Sequence, residues 1–404
     1  MFMSVLTVFQ AELVVSVVEL VLTQHMATDR AYAKFFAGQS LSSKQKAQVT
    51  TSTGDILRRL NLFCFLANVP LEKAHENGAK LIAAWHLLQG YEQPLLHKSA
   101  VLSTAEFNNK LTQAKTAPLL WQGCPTWLDN LGTAQLGEQW PKERAALAER
   151  PQRYIRVNEL KTTRAALLDD LVTQGIKAEP VTNVATAIKI NDQSSLFNSN
   201  AYQQGWFEQQ DAGSQCVVQA LDVKPGMTVF DTCAGTGGKT LQLAAMMRGK
   251  GRLVAMDIEQ WKLDKLQLRA KRAGAFNIET RLIESSKTIK RRKLSADRVL
   301  LDVPCSGLGV LKRKPMAKWH DTAERLHTLT QLQTDILQRY SQLLKVSGIM
   351  IYATCSILPQ ENNEQVKQFL TNNPNFLLLE EQTISPAETG FDGFYWAKIV
   401  RIDK

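Results

Sequence analysis

Apolar positions near the start of the chain recur at helical spacing, with Leu13, Val14, Val17, Val18 and Val21 on one face. The stretch 5–26 is apolar-rich, but Gln10, Glu12, Glu19 and Gln24 interrupt it and no basic segment precedes it. It therefore predicts a core helix rather than a membrane span or secretory leader. Ser42-Ser43-Lys44-Gln45 has the form of a capping box that opens the next helix, carrying Val49 onward. Residues 55–66 and 73–88 continue the helical pattern, and Gly90 supplies a stop. Residues 1–120 thus read as an all-helical N-terminal domain. The period then changes. Tyr154-Ile155-Arg156-Val157-Asn158 alternates as a strand, Thr162 or Thr163 caps a helix through Val172, and Gly175 ends it. Short β-like runs return over 181–190, so 121–205 predicts a small α+β module.

From residue 206 strands and helices alternate to the end, the pattern of a doubly wound α/β domain. Met227-Thr228-Val229-Phe230 is a buried strand that runs into Asp231-Thr232-Cys233-Ala234-Gly235-Thr236-Gly237-Gly238-Lys239-Thr240. A helix over 241–247 follows, then a second strand, closed by Asp257 about 26 residues after Asp231. Glycines let a backbone approach a ligand, and an acidic residue after the second strand suits ribose hydroxyls. The spacing is not G-x-G-x-x-G, which speaks against a dinucleotide. An acidic residue opening the loop fits a ligand with a cationic amino group, such as S-adenosyl-L-methionine. Two further strands end in cysteine turns, Asp302-Val303-Pro304-Cys305-Ser306-Gly307 and Ala353-Thr354-Cys355-Ser356. If these strands are parallel neighbours, both thiols and Asp302 lie at the carboxyl edge of the sheet, where open α/β sheets bind ligands.

Charge sharpens this picture. The net charge is +10, and basic groups concentrate in the last domain: Arg269, Lys271 and Arg272, the run 290–293, and Lys312-Arg313-Lys314 after the Pro-Cys turn. That balance favours a polyanionic partner, with nucleic acid first, and the position of Lys312, Arg313 and Lys314 beside Cys305 makes them candidate RNA contacts. Trp319 suits either stacking on a base or a core position. Six cysteines form no C-x-x-C pair and no cluster with zinc-ligand spacing, so neither a disulfide scaffold nor a metal site is expected. Cys64, Cys124 and Cys216 read as reduced packing residues, and His75, His86 and His97 stand alone. The cytoplasm is the expected compartment.

Paired cysteines beside a methyl-donor loop suit one chemistry in particular. Carbon 5 of a pyrimidine becomes nucleophilic when a thiolate adds at carbon 6, and elimination of the thiol later restores the ring. The residues by themselves leave open which cysteine attacks. The chain resembles the Nop/Sun (Fmu) family of RNA cytosine-5 methyltransferases, of the bacterial ribosomal RNA type. The resemblance rests on Gln210-Asp211 through Gln215, the 231–240 loop, both cysteine motifs, Pro359-Glu361-Asn362 and Asp392-Gly393-Phe394. It covers about 200–404. Ile155 through Lys161 resembles the family's RNA-binding-type module, and the helical N-terminus a diverged form of a domain that some bacterial members carry.

The resemblance implies a Rossmann-like methyltransferase domain over 206–404, with S-adenosyl-L-methionine as cofactor and RNA as partner. It implies Cys355 as nucleophile, Cys305 in product release, and Asp302 contacting the cytosine and the cofactor pocket. Asp231 and Cys233, Ala234, Gly235, Thr236, Gly237, Gly238 and Lys239 would wrap the cofactor, with Asp257 on its ribose. Glu284 is the candidate for the family's further acidic residue after the third strand. One departure stands out: the family's loop reads Cys-Ala-Ala-Pro-Gly-Gly-Lys, and here Gly235-Thr236 replaces Ala-Pro. A DNA cytosine-5 methyltransferase would use the Pro-Cys cysteine and want a Glu-Asn-Val motif, which is missing. A non-catalytic RNA-binding or ribosome-assembly factor would not need both cysteines, Asp302 and Lys239. A nicotinamide dehydrogenase fits neither the glycine spacing nor the cysteines.

Overall fold

The computed structural model describes residues 5–96, 101–192, 195–320 and 323–403, so His97 lies outside the described residues. The chain forms two compact units. One takes the described residues up to Arg150 together with Ser195 and 310–320; the other takes 151–192, 196–309 and 323–403.

The first unit is helical. Val8–Gln24 opens on a capping box between Thr7 and Gln10, and Ser43–Arg58 on the expected one between Ser42 and Gln45. Each box satisfies orphan amides at a helix start. Helices Leu60–Leu66, Gly78–Leu88 and Thr104–Lys115 follow. Helix also continues past Pro125, which sits at the N-cap of Thr126–Leu136 and so begins a helix rather than ending one. Trp140–Leu147 follows it. Val14, Val17, Ile56, Phe63, Leu81 and Trp85 fill the core. Within it Asp55 is buried, accepting from Arg58 (2.7 Å), Arg150 (2.5 Å) and the Trp85 indole N–H (3.1 Å). Residues 310–320 complete the unit: Met316 and Trp319 pack on its core, and Trp319 Nε1 donates to the Leu57 carbonyl (2.9 Å). Trp319 is therefore a partly buried residue packed against that core. Lys318 Nζ donates to the Arg58 carbonyl, and Arg58 donates to that of Lys312. His86 is buried on the Glu92 carbonyl, and His75 pairs with Glu76.

The second unit holds two sheets. The smaller is antiparallel, in the order β2-β3-β1-β4, from β1 (Arg153–Val157), β2 (Ala178–Pro180), β3 (Ala187–Ile190) and β4 (Phe207–Gln209). Helix Arg164–Thr173, capped by the Thr163 hydroxyl, packs Leu167 and Leu171 onto it. The larger sheet has seven strands: β5 (Thr228–Asp231), β6 (Arg252–Asp257), β7 (Ile278–Leu282), β8 (Ala296–Asp302), β9 (Leu344–Thr354), β10 (Phe376–Ile384) and β11 (Phe394–Arg401). Their order is β10-β11-β9-β8-β5-β6-β7. Five adjacent strands are parallel; β11 runs antiparallel to them, and β10, antiparallel to β11, runs in their direction again. This is the doubly wound, Rossmann-like architecture expected from the alternation. Winding reverses between β5 and β8, the switch point where such sheets bind ligands. β8 and β9 are parallel neighbours in which Asp302 pairs with Ala353, so both cysteine turns leave the sheet at one edge.

Candidate active site at the carboxyl edge of the sheet

Four strands deliver chemistry to this edge. β5 ends at Asp231, whose carboxyl is buried. Oδ2 accepts from the Thr240 hydroxyl (2.7 Å), while Oδ1 has no hydrogen-bond partner. Burial pushes its pKa up to about 7; the charge of Asp302 adds to this, and Thr240 and Lys239 pull against it. β6 ends at Asp257, which accepts from the Gly235 amide (2.9 Å) and the Glu259 amide (3.0 Å). The loop between Asp231 and helix Gly238–Met246 makes its turns on Gly235 and Gly237, both at positive φ. A side chain at Gly237 would strike Leu266, whereas Gly235 and Gly238 face open space. A bare backbone beside an unpartnered buried carboxylate oxygen is a cradle for a ligand carrying a cation.

β8 ends at Asp302, which pairs with Lys239 (2.6 Å). Lys239 also lies 5.3 Å from the centre of the Phe394 ring. Burial works against the lysine charge, but Asp302 outweighs it and the net shift is upward. The sulfurs of Cys305 and Cys355 are 3.3 Å apart, and the Cys355 amide donates to the Cys305 sulfur (3.3 Å). The hydrogen bond shared with the Cys355 sulfur, and then burial, push the Cys305 thiol well above its ordinary range.

A buried frame holds both turns. Glu361 accepts from the Ser306 amide (2.8 Å), the Ser306 hydroxyl (2.6 Å) and Gln333 (3.0 Å). Asn362 accepts from the Thr354 hydroxyl (2.6 Å) and donates to the Ser356 carbonyl (3.1 Å). Gly309 donates to the Cys355 carbonyl (2.9 Å), and Gly393 donates to Gly309 (2.7 Å). The motif 359–362 gave no hint from its residues that it is the strut of both cysteine turns. Beside the edge a cavity of about 440 Å³ is lined by Ile258, Ile283, Ile289 and Tyr340, among others.

The structure thus gathers Asp231, the 233–239 loop, Asp257, Asp302, Cys305 and Cys355 at one edge. Glu284 follows β7, whose Leu282 pairs with Asp257, and its side chain is exposed. The basic triplet divides: Lys314 is exposed and Arg313 half-buried, but Lys312 is only 2% exposed. Lys312 is therefore corrected from a surface contact to a buried residue of the helical unit. Arg269 and Arg272 both pair with Glu208. Among the described residues no cluster could hold a metal, and no helix is long and apolar enough to cross a membrane.

Comparison with known proteins places the chain in a family. Residues 218–400 match the family described as 16S rRNA methyltransferase RsmB/F, and 124–196 match its ferredoxin-like domain. Ribosomal RNA small subunit methyltransferase B of Pectobacterium carotovorum is 34% identical over 296 residues, 69% of this chain and 66% of that protein. The match thus spans just under two thirds of that relative's length. A probable ribosomal RNA small subunit methyltransferase B of Synechocystis is 30% identical over 319 residues, 77% of this chain and 71% of that protein. Among solved structures, a methyltransferase homologue from Pyrococcus horikoshii is 27% identical, with TM-score 0.63 over 70% of this chain and 98% of its own. The crystal structure of PH0851, 21% identical, shares the fold at TM-score 0.82, over 98% of this chain and 100% of its own. With its cradle, its paired cysteine turns and these relatives, the chain belongs to the RsmB/F family of S-adenosylmethionine-dependent methyltransferases.

Proposed function

We propose that this chain methylates carbon 5 of a cytosine in ribosomal RNA through a covalent adduct on Cys355. The observation that carries the reading is the thiol pair, with the two sulfurs 3.3 Å apart at the edge that also holds Asp302. Asp231, residues 233–239 and Asp257 would hold the cofactor. The unpartnered Asp231 Oδ1 meets its ammonium, Asp257 its ribose, and Glu284 stands at the next strand end. When bound, S-adenosylmethionine supplies an electrophilic methyl group. The target cytosine, unstacked from the RNA, enters between the cysteine turns and Asp302.

Cys355 as thiolate adds to carbon 6 of the ring, and the electron pair displaced from the 5,6 double bond makes carbon 5 nucleophilic. Asp302, fixed by Lys239, accepts a hydrogen bond from the exocyclic amino group of the ring and orients it, while the Lys239 charge offsets the negative charge that develops on the ring. After methylation carbon 5 gives its proton to solvent water, the C–H electron pair re-forms the 5,6 double bond, and the carbon 6–sulfur bond breaks with its pair returning to sulfur. Cys305 stabilises that departing thiolate by donating its S–H to it.

An adduct assay tests this. Cys305→Ala protein, incubated with cellular RNA and S-adenosylmethionine and run on a denaturing gel, accumulates an RNA-dependent band. Cys355→Ala and the double variant give none. A band formed only by Cys355→Ala reverses the two roles. No band in any variant, with no labelled methyl entering RNA, removes the catalytic reading.

A further inference from the structure

The cofactor loop has a mechanical weakness. Gly235, Gly237 and Gly238 leave its backbone free to take many shapes, and Thr236 stands where the resembling family has a proline that would stiffen it. The restraint comes from outside the loop. Arg269, on helix Gln260–Ala273, donates from Nη1 to the Thr236 carbonyl (2.7 Å) and hydroxyl (3.1 Å). From Nη2 it donates to Glu208 (2.8 Å), a buried residue of β4. Glu208 also pairs with Arg272, whose guanidinium lies 4.0 Å from the centre of the Tyr202 ring. On the other flank Arg156 of β1, 1% exposed, donates to the Gly238 carbonyl (2.7 Å) and to the Gln210 side chain.

Arg156 of the small sheet and Arg269, tied to that sheet through Glu208, thus grip the loop at Gly238 and Thr236. Their planar, charge-assisted contacts fix direction as well as distance. We propose that Arg269, seated on Glu208, is a positioning residue of the cofactor site: with Arg156 it braces the 235–238 loop in its binding shape and takes over the task of the missing proline. The small module is thereby a structural part of the cofactor site. This rests on the proposed role of the loop in holding S-adenosylmethionine. Arg269 touches neither cofactor nor substrate and acts only through Thr236.

The test is calorimetric titration of S-adenosylmethionine into the full chain, with methylation kinetics alongside. Arg269→Ala weakens binding about tenfold, which corresponds to ~1.4 kcal/mol. Its KM for the cofactor rises in parallel, while kcat at saturating cofactor falls by much less. Arg269→Lys, which keeps the charge and one donor, recovers part of the loss. Glu208→Gln, which releases the arginine without removing it, weakens binding in the same direction and serves if Arg269→Ala does not fold. Affinity within twofold of wild type in folded Arg269→Ala, or in Glu208→Gln where Arg269→Ala is unfolded, overturns the brace. So does a loss confined to kcat. Wild type that binds no cofactor overturns the reading of the loop as well, so the two failures are distinct.

Discussion

In the proposed site Asp231 would join protonation to cofactor binding. With a pKa raised to about 7, it holds its proton across the acid range, and a cationic amino group can pair with it only after the proton leaves. Cofactor affinity is expected to be level above pH 7 and to fall about tenfold per pH unit below it. Titrations between pH 5.5 and 8.5 check this, and a flat profile through pH 6 would remove Asp231 from the contact. Asp231→Asn abolishes the slope. The stability term has the opposite dependence. Because the folded pKa is raised, the contribution of this group is full below the ordinary value of 3.8 and is lost as pH rises through 7. Asp231, Asp257, Asp302 and the two cysteines were legible in the sequence because each closes a strand, and strand ends converge in this architecture. Glu361 was not, since its partner Ser306 lies 55 positions away and no local period connects them.

At the level of elements, two glycines of the proposed cofactor loop do different work. Gly237 sits at φ +92° with Leu266 Cγ only 2.6 Å from where a Cβ would be. Gly237→Ala is expected to cost about 1–3 kcal/mol from backbone strain alone, seen as a lower melting temperature with or without cofactor. Gly235→Ala meets no neighbour. It should lose less stability than Gly237→Ala and more cofactor affinity, because its methyl group points into the open cradle. Equal stability losses in the two variants would contradict this division. Element types were readable wherever period and caps agreed, as at Ser42–Gln45 and Thr163. The helix Thr126–Leu136 was not, because it follows a proline, and proline opens helices as readily as it closes them.

For the whole molecule, the net charge of +10 makes a salt-dependent encounter with RNA the expectation. Exposed Lys314 and buried Lys312 should then separate. Lys314→Ala lowers the slope of log affinity against log salt by about one, and Lys312→Ala leaves the slope alone but lowers thermal stability. Equal slopes for Lys314→Ala and wild type would remove that residue from the RNA contact. Only the clustering of these lysines was visible in sequence; that 310–320 joins the helical unit depends on Trp319, Met316 and Lys318 finding a core laid down far earlier in the chain. That connectivity has a consequence for how the protein is made. The first 150 residues leave the ribosome roughly 160 residues before the segment that seats Trp319, a delay of about 8–30 s at ordinary elongation rates. During that interval the helical unit lacks the peptide that covers Leu57 and Arg58, and a chaperone has an opening to hold it. Its last folding step is timed by translation of the catalytic domain.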